Sequence, residues 1–415
     1  MQSKYIGYQC SLCGRNYSPE EVKYICPKDG GNLNVILDYA DINRRFNQGD
    51  IFKSGENSLW RYLPLLPVND PGGIGTPLHK AGGTPVYATN QLAFDLGLTS
   101  LWIKDESRNP TASFKDRASA IVIARGREIG AEVIVTASTG NAGAALAGMS
   151  AAIGQKAVIF APRTAPPAKI AQLLIYGATV YLVDGSYDNA FDLTIQAANE
   201  FGWYCRNTGY NPFTAEGKKT AAFEIWEWML HLEPVLRKQL TIFVSVGDGN
   251  IISGLHKGFI DLIKLGWLER SPRIFGVQAE GSAAIANAFL SGTEKITPVV
   301  AHTLADSISV DLPRDGVRAV RAARETGGRY ILVSDEEIIS AISQLGKAGI
   351  FAEPAGATSY AGLVKAVHTG LIYSDEPILV INTGSGLKDV GAAMQAVKEP
   401  IIIEPTLTAL KKAIL

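Results

Sequence analysis

The feature that most limits what this chain can become is the alternation of short β-branched, apolar runs with longer helix-like stretches. The runs fall at Leu101–Asp105, Glu132–Thr136, Ala157–Phe160, Thr179–Val183, Thr241–Val246, Ile274–Val277 and Pro377–Ile381. Between most of them lie segments such as Gly143–Ile153, Ala168–Tyr176, Asp188–Phe201 and Gly217–Leu230. Strands that alternate with helices build parallel sheets, because each parallel connection must cross back over the sheet. Two groups of such units predict an α/β fold of two lobes with a small-ligand cleft between them.

Length and charge narrow the function. The 415 residues, 47% of them hydrophobic, are enough for about two or three domains with a sizeable core. A net charge of −1 gives no support for nucleic acid or an anionic membrane as the main partner. Met1–Gly7 holds no long apolar run, and no stretch reaches the roughly 18 apolar residues of a membrane helix. With four cysteines, three of them near the N-terminus, the expected compartment is a reducing cytoplasm.

Those three cysteines open the chain. Cys10-Ser11-Leu12-Cys13 is a CxxC knuckle, but its counterpart reads Cys26-Pro27-Lys28-Asp29, so Asp29 stands where a fourth thiolate belongs. The set Cys10, Cys13, Cys26 and Asp29 reads either as a zinc-ribbon site or as a ribbon without metal, held by Tyr8, Tyr17, Tyr24 and Leu33. Lying far upstream of every other motif, the ribbon is expected to be dispensable for chemistry. Residues 39–75, rich in aromatics and prolines, read as a surface-wrapping segment.

Five stretches carry candidate chemistry. Asn109–Arg117 leads from a strand into a helix and sets Lys115 at the junction, as a possible amine nucleophile or an ordinary solvated lysine. Ser138-Thr139-Gly140-Asn141 follows a strand and opens a small-residue helix, which suits an anion or simply caps the helix. Gly247-Asp248-Gly249-Asn250-Ile251 also joins strand to helix, where glycines let backbone N–H groups close round a phosphate. Its spacing does not match the GxGxxG dinucleotide turn. Glu353 sits at a loop-to-helix junction, and Thr383 puts a hydroxyl at the carboxyl edge of a strand, where α/β folds present ligands.

In this order, SFKDR, STGN, GDGN, EPAGA and TGSGLKD resemble the fold-type II pyridoxal-phosphate enzymes, with threonine synthases the nearest group. The resemblance covers roughly residues 76–395 and implies two open, twisted, mostly parallel sheet lobes. The large cofactor-binding lobe would comprise 39–125 and 205–400 and the small lobe 126–204, with the ribbon at 1–38 and a tail at 401–415. It also implies a homodimer and pyridoxal 5'-phosphate as cofactor. Lys115 matches the lysine that holds the cofactor covalently and shuttles the α-proton, and Asn141 the partner of its ring hydroxyl. Gly247, Asp248, Gly249, Asn250 and Ile251 match the phosphate cradle, and Thr383 the hydroxyl facing the ring nitrogen. Ser113, Ser138, Thr139, Lys169, Asp248 and Glu353 fall on the substrate side.

The implied activity is elimination or replacement on an L-amino acid, closest to O-phosphohomoserine plus water giving threonine plus phosphate. Two departures leave the substrate open. Thr214 stands where the resemblance places an arginine that grips the substrate phosphate, and Asp248 puts an acid where a neutral residue is expected. Lys169, and Arg163 near it, are the cations left to offset them. These departures predict poor use of O-phosphohomoserine and keep β-elimination or β-replacement on a differently substituted amino acid as the alternative.

Overall fold

The computed structural model describes residues 5–138, 140–165 and 167–414. Strands β1 (Tyr5–Cys10), β2 (Asn16–Tyr17) and β3 (Leu33–Leu37) form a small antiparallel sheet in the order β2-β1-β3. Residues 39–75 do not merely wrap the surface. Leu59–Leu65 coils into a 3-10 turn that buries Trp60 and Tyr62, and the Trp60 indole N–H donates to Leu78 O at 3.1 Å.

The rest builds two sheets. One contains β4 (Val86–Ala88), β5 (Leu101–Asp105), β10 (Thr241–Ser245), β11 (Arg273–Ala279), β12 (Tyr330–Val333) and β13 (Ile378–Asn382), in the order β12-β11-β10-β13-β5-β4. All its pairings are parallel except β4 with β5. The other sheet contains β6 (Val133–Ala137), β7 (Lys156–Pro162), β8 (Thr179–Val183) and β9 (Tyr204–Cys205), parallel throughout in the order β8-β7-β6-β9. Central strands β6, β10 and β13 are buried at every residue, which is why they read as unbroken apolar runs: helices cover both faces of a parallel sheet.

The two sheets are tied through helix Lys115–Glu128, which follows β5 and packs on helices Phe213–Lys218 and Asn141–Ala151. Gly217 permits the closest approach, since a Cβ there would lie 2.7 Å from Ala118 Cα and nearer still to the Arg117 carbonyl. Beside it Arg117, fully buried, is held by Glu106 and Glu224, and Lys104 reaches Glu224 at 2.7 Å. Charges out of water survive only in such pairs. This one pins β5, its helix and helix Thr220–Met229 together.

Candidate active site

The loops leaving the carboxyl ends of β5, β6, β10 and β13 converge on a cavity of about 420 Å³. Lys115 is the first residue of its helix, and its approach is braced in an unusual way. Ala112 has φ of 63°, the left-handed region that side chains avoid, and Asp116 accepts hydrogen bonds from both the backbone N–H (2.6 Å) and the hydroxyl of Thr111. The lysine lines the cavity and its Nζ has no hydrogen-bond partner among the described residues. Burial, then the Arg206 guanidinium, lowers its pKa to about 8, while Glu353 and Asp248 pull the other way.

Across the cavity, helix Asn250–Lys264 begins at Gly249, whose φ is 87° and which supplies no side-chain cap. A Cβ on Gly249 would lie 2.7 Å from Asp315 O, and one on Gly247 2.7 Å from Ile308 Cα, so both glycines are required by neighbouring backbone. The first N–H groups of this helix have no side-chain cap, and Asn250, Ile251 and Ile252 line the cavity wall, an arrangement able to receive an anion. The Asp248 carboxylate turns to the Arg314 backbone N–H at 2.5 Å, and burial raises its pKa to about 7. Thr383 and Ser245 bring their hydroxyls within 3.5 Å of each other at the edge of β13 and β10.

The remaining predicted residues divide. Ser138, Asn141 and Glu353 line the cavity, and Asn141 Nδ2 donates to Glu353 Oε1 at 2.7 Å. Burial raises the Glu353 carboxyl above its usual range. Thr139 lies outside the described residues. Ser113 is buried without lining the cavity, and its hydroxyl has no hydrogen-bond partner among the described residues. Lys169 pairs with Asp306 and, with Lys388, lines a second space of about 360 Å³ that shares Gly140, Asn141, Ser307 and Glu353 with the first. Arg163 stands on the surface, 3.8 Å from Asp184.

Thr214 needs a different account from the sequence reading. It is fully buried, its hydroxyl donates to Asn211 O at 2.7 Å, and it does not line the cavity. Several lining residues gave no sequence signal. Lys218, one helical turn after Thr214, sits in the cavity wall with its Nζ 2.6 Å from Asn250 Oδ1. Thr208 lines the wall and accepts from Arg206 Nη1 at 2.7 Å. In sequence a lysine at a helix end and an arginine beside a short strand read as solvent-facing charges.

In the ribbon, Cys10, Cys13, Cys26 and Asp29 bring one donor atom each to within 4.8 Å of one another. Cys13 Sγ and Cys26 Sγ are 3.9 Å apart, and Tyr17 Oη lies 3.0 Å from Cys26 Sγ. The ribbon is not remote from the cavity. Asn32 donates to the carbonyls of Gly209 and Arg314, and Tyr24 accepts from Cys205 N and stacks on Tyr204 and Tyr210.

Comparison with known proteins places this geometry. The family of pyridoxal-phosphate dependent enzymes matches residues 78–384. Threonine synthase of Methanocaldococcus jannaschii is 40% identical over 407 residues, 97% of this chain and 98% of that protein. Threonine synthase of a Bacillus species is 35% identical over 342 residues, 81% and 92% of the two chains. Among solved structures, threonine deaminase isoform 2 from Solanum lycopersicum aligns with TM-score 0.65 at 21% identity, covering 85% of this chain and 89% of its own. Diaminopropionate ammonia lyase from Escherichia coli aligns at 0.64 and 22%, covering 76% and 87%. At those identities the structures speak for the fold.

Proposed function

The chain belongs to the pyridoxal-phosphate-dependent enzyme family, and we propose that it converts O-phosphohomoserine and water to threonine and phosphate, as the names of its relatives suggest. The observation that carries this reading is the Lys115 amine facing, across one cavity, a helix N-terminus without a side-chain cap. These residues fit the cofactor: an amine for its aldehyde, backbone N–H groups for its phosphate and the Thr383 hydroxyl for its ring nitrogen. When bound, pyridoxal phosphate supplies the electron sink for the pair left when a proton is removed beside the amino group.

The chain's own residues supply the rest. With its pKa near 8, Lys115 is neutral about a tenth of the time at pH 7, enough to act as nucleophile and then as base. Ser138, whose hydroxyl oxygen accepts from the Gly140 N–H at 3.2 Å and so keeps its own proton to donate, stands where it can hold the substrate carboxylate. In the overall reaction Cβ gives up a proton and the Cγ–O bond breaks with its electron pair leaving on phosphate; water then adds its hydroxyl at Cβ, Cγ gains a proton, and the proton left over from Cβ and water goes to the departing phosphate. The objection raised by Asp248 weakens, because with a pKa near 7 it carries about half a charge at neutral pH.

The test is to give the holoenzyme O-phosphohomoserine and quantify threonine and phosphate together. Equal release supports the reading. Ammonia and a 2-oxo acid in their place, or faster turnover of a β-substituted amino acid, would favour the elimination alternative.

The ribbon's donor set suits a structural zinc, which we place at Cys10, Cys13, Cys26 and Asp29 as part of this proposal. Four free cysteines support a reducing, cytoplasmic setting. The exposed apolar side chains Leu387, Val390, Met394, Ile402 and Leu407 support pairing with a second copy.

A further inference from the structure

Among the described residues, five lysine and arginine side chains are buried to less than 2% exposure: Lys104, Arg117, Arg206, Lys218 and Lys219. Three of them meet carboxylates. Lys104 and Arg117 share Glu106 and Glu224, and Lys219 pairs with Asp261 at 2.8 Å and with Glu216. The other two have no carboxylate within ion-pair distance among the described residues; Lys218 lines the cavity, and Arg206 stands behind it, bonded to the lining Thr208. Lys218 has only the neutral Asn250 amide oxygen. Arg206 has the hydroxyls of Ser119 and Thr208, and its Nη2 has no hydrogen-bond partner among the described residues. Burying a charge without a counter-charge is costly: burial, then the nearby Lys115 and Arg206 charges, push the Lys218 pKa well down, and a ligand's negative charge restores its proton.

We propose that Lys218 receives the phosphate of the substrate's leaving group, with Thr208 as a second donor that Arg206 holds in place; this rests on the function proposed above. Helical side chains lean toward the N-terminus, so Lys218 at i+4 runs back along the face that Thr214 occupies. A small, inward-bonded residue at 214 leaves that face to the lysine. The cation sought at 214 is therefore present one turn later. Because Thr208 accepts from Arg206, its own O–H proton is free to be donated into the cavity. The cofactor's phosphate is assigned to the N–H groups at the start of helix Asn250–Lys264, whose first residue Lys218 contacts, so the two phosphates would sit side by side.

The test separates the two phosphates. Cofactor affinity would be measured by titrating the apoprotein, and inorganic phosphate binding to the holoenzyme by calorimetry, for wild type, Lys218→Gln, Lys218→Arg and Thr208→Val. Steady-state kinetics with O-phosphohomoserine would follow. Removing one charge-assisted contact should weaken inorganic phosphate binding and raise KM about tenfold to a hundredfold in Lys218→Gln. Cofactor affinity should stay within about twofold, and Lys218→Arg should recover most of the loss. Thr208→Val should show a smaller change of the same kind, which keeps the idea testable should Lys218→Gln fail to fold. A drop in cofactor affinity with phosphate binding unchanged would assign Lys218 to the cofactor and overturn the proposal. So would failure of wild type to bind inorganic phosphate. Wild type that binds phosphate through Lys218 but leaves O-phosphohomoserine unchanged would instead count against the proposed function alone.

Discussion

At the scale of single residues, the pKa of Lys115 governs how the protein takes up its cofactor. The neutral amine is the reactive form, so the rate of cofactor capture by the apoprotein should rise with pH through about 8 and level off above it. Stopped-flow absorbance checks this, and Lys115→Ala should lose both the yellow colour and any borohydride-reducible adduct. Asp248 acts in the opposite sense. Its raised pKa makes it neutral below about 7 and anionic above, where it repels a phosphorylated substrate. KM for O-phosphohomoserine should therefore climb as pH passes 7, and Asp248→Asn should flatten that climb. Lys115, Asn141 and Thr383 were legible in the sequence because each stands in a Gly-, Ser- or Thr-rich loop beside an apolar run. Lys218, Arg206 and Thr208 were not, since their meaning lies in burial, and only the packed chain shows which charges lack a counter-charge.

At the scale of elements, the strands that were easiest to read are those whose residues are all buried, such as β6, β10 and β13. Tyr330–Val333 and the two-residue β9 were missed: β9 is too short to show a period, and its place depends on pairing with β6. The joint that matters most is the contact of helix Lys115–Glu128 with helix Phe213–Lys218. Gly217→Ala should force these helices apart and cost about 1–3 kcal/mol, read as a lowered midpoint in urea. Arg117→Met leaves Glu106 and Glu224 buried with Lys104 as the one cation they share among the described residues, and should cost about 3–5 kcal/mol by the same measurement. An unchanged midpoint in either variant would show that the joint contributes less than its geometry implies.

At the scale of the whole molecule, the ribbon is tied to segments of the cavity wall. Distance along the chain made it look dispensable, yet Asn32 and Tyr24 hold the segments that carry Thr208 and Arg314. Deleting residues 1–36, or stripping metal with a chelator, should loosen those segments and raise KM more than it lowers cofactor affinity. Intact kinetics after deletion would return the ribbon to a purely packing role. No helix among the described residues is long and apolar enough to cross a membrane. The parallel sheets also have a polarity that engineering can exploit. Since the chemistry gathers at the strands' carboxyl ends, the opposite rim is silent ground. There, turns such as Gly154 before β7 and Gly177 before β8 have open space around them. A dye or affinity handle grafted at that rim would report on the protein while leaving its working end untouched.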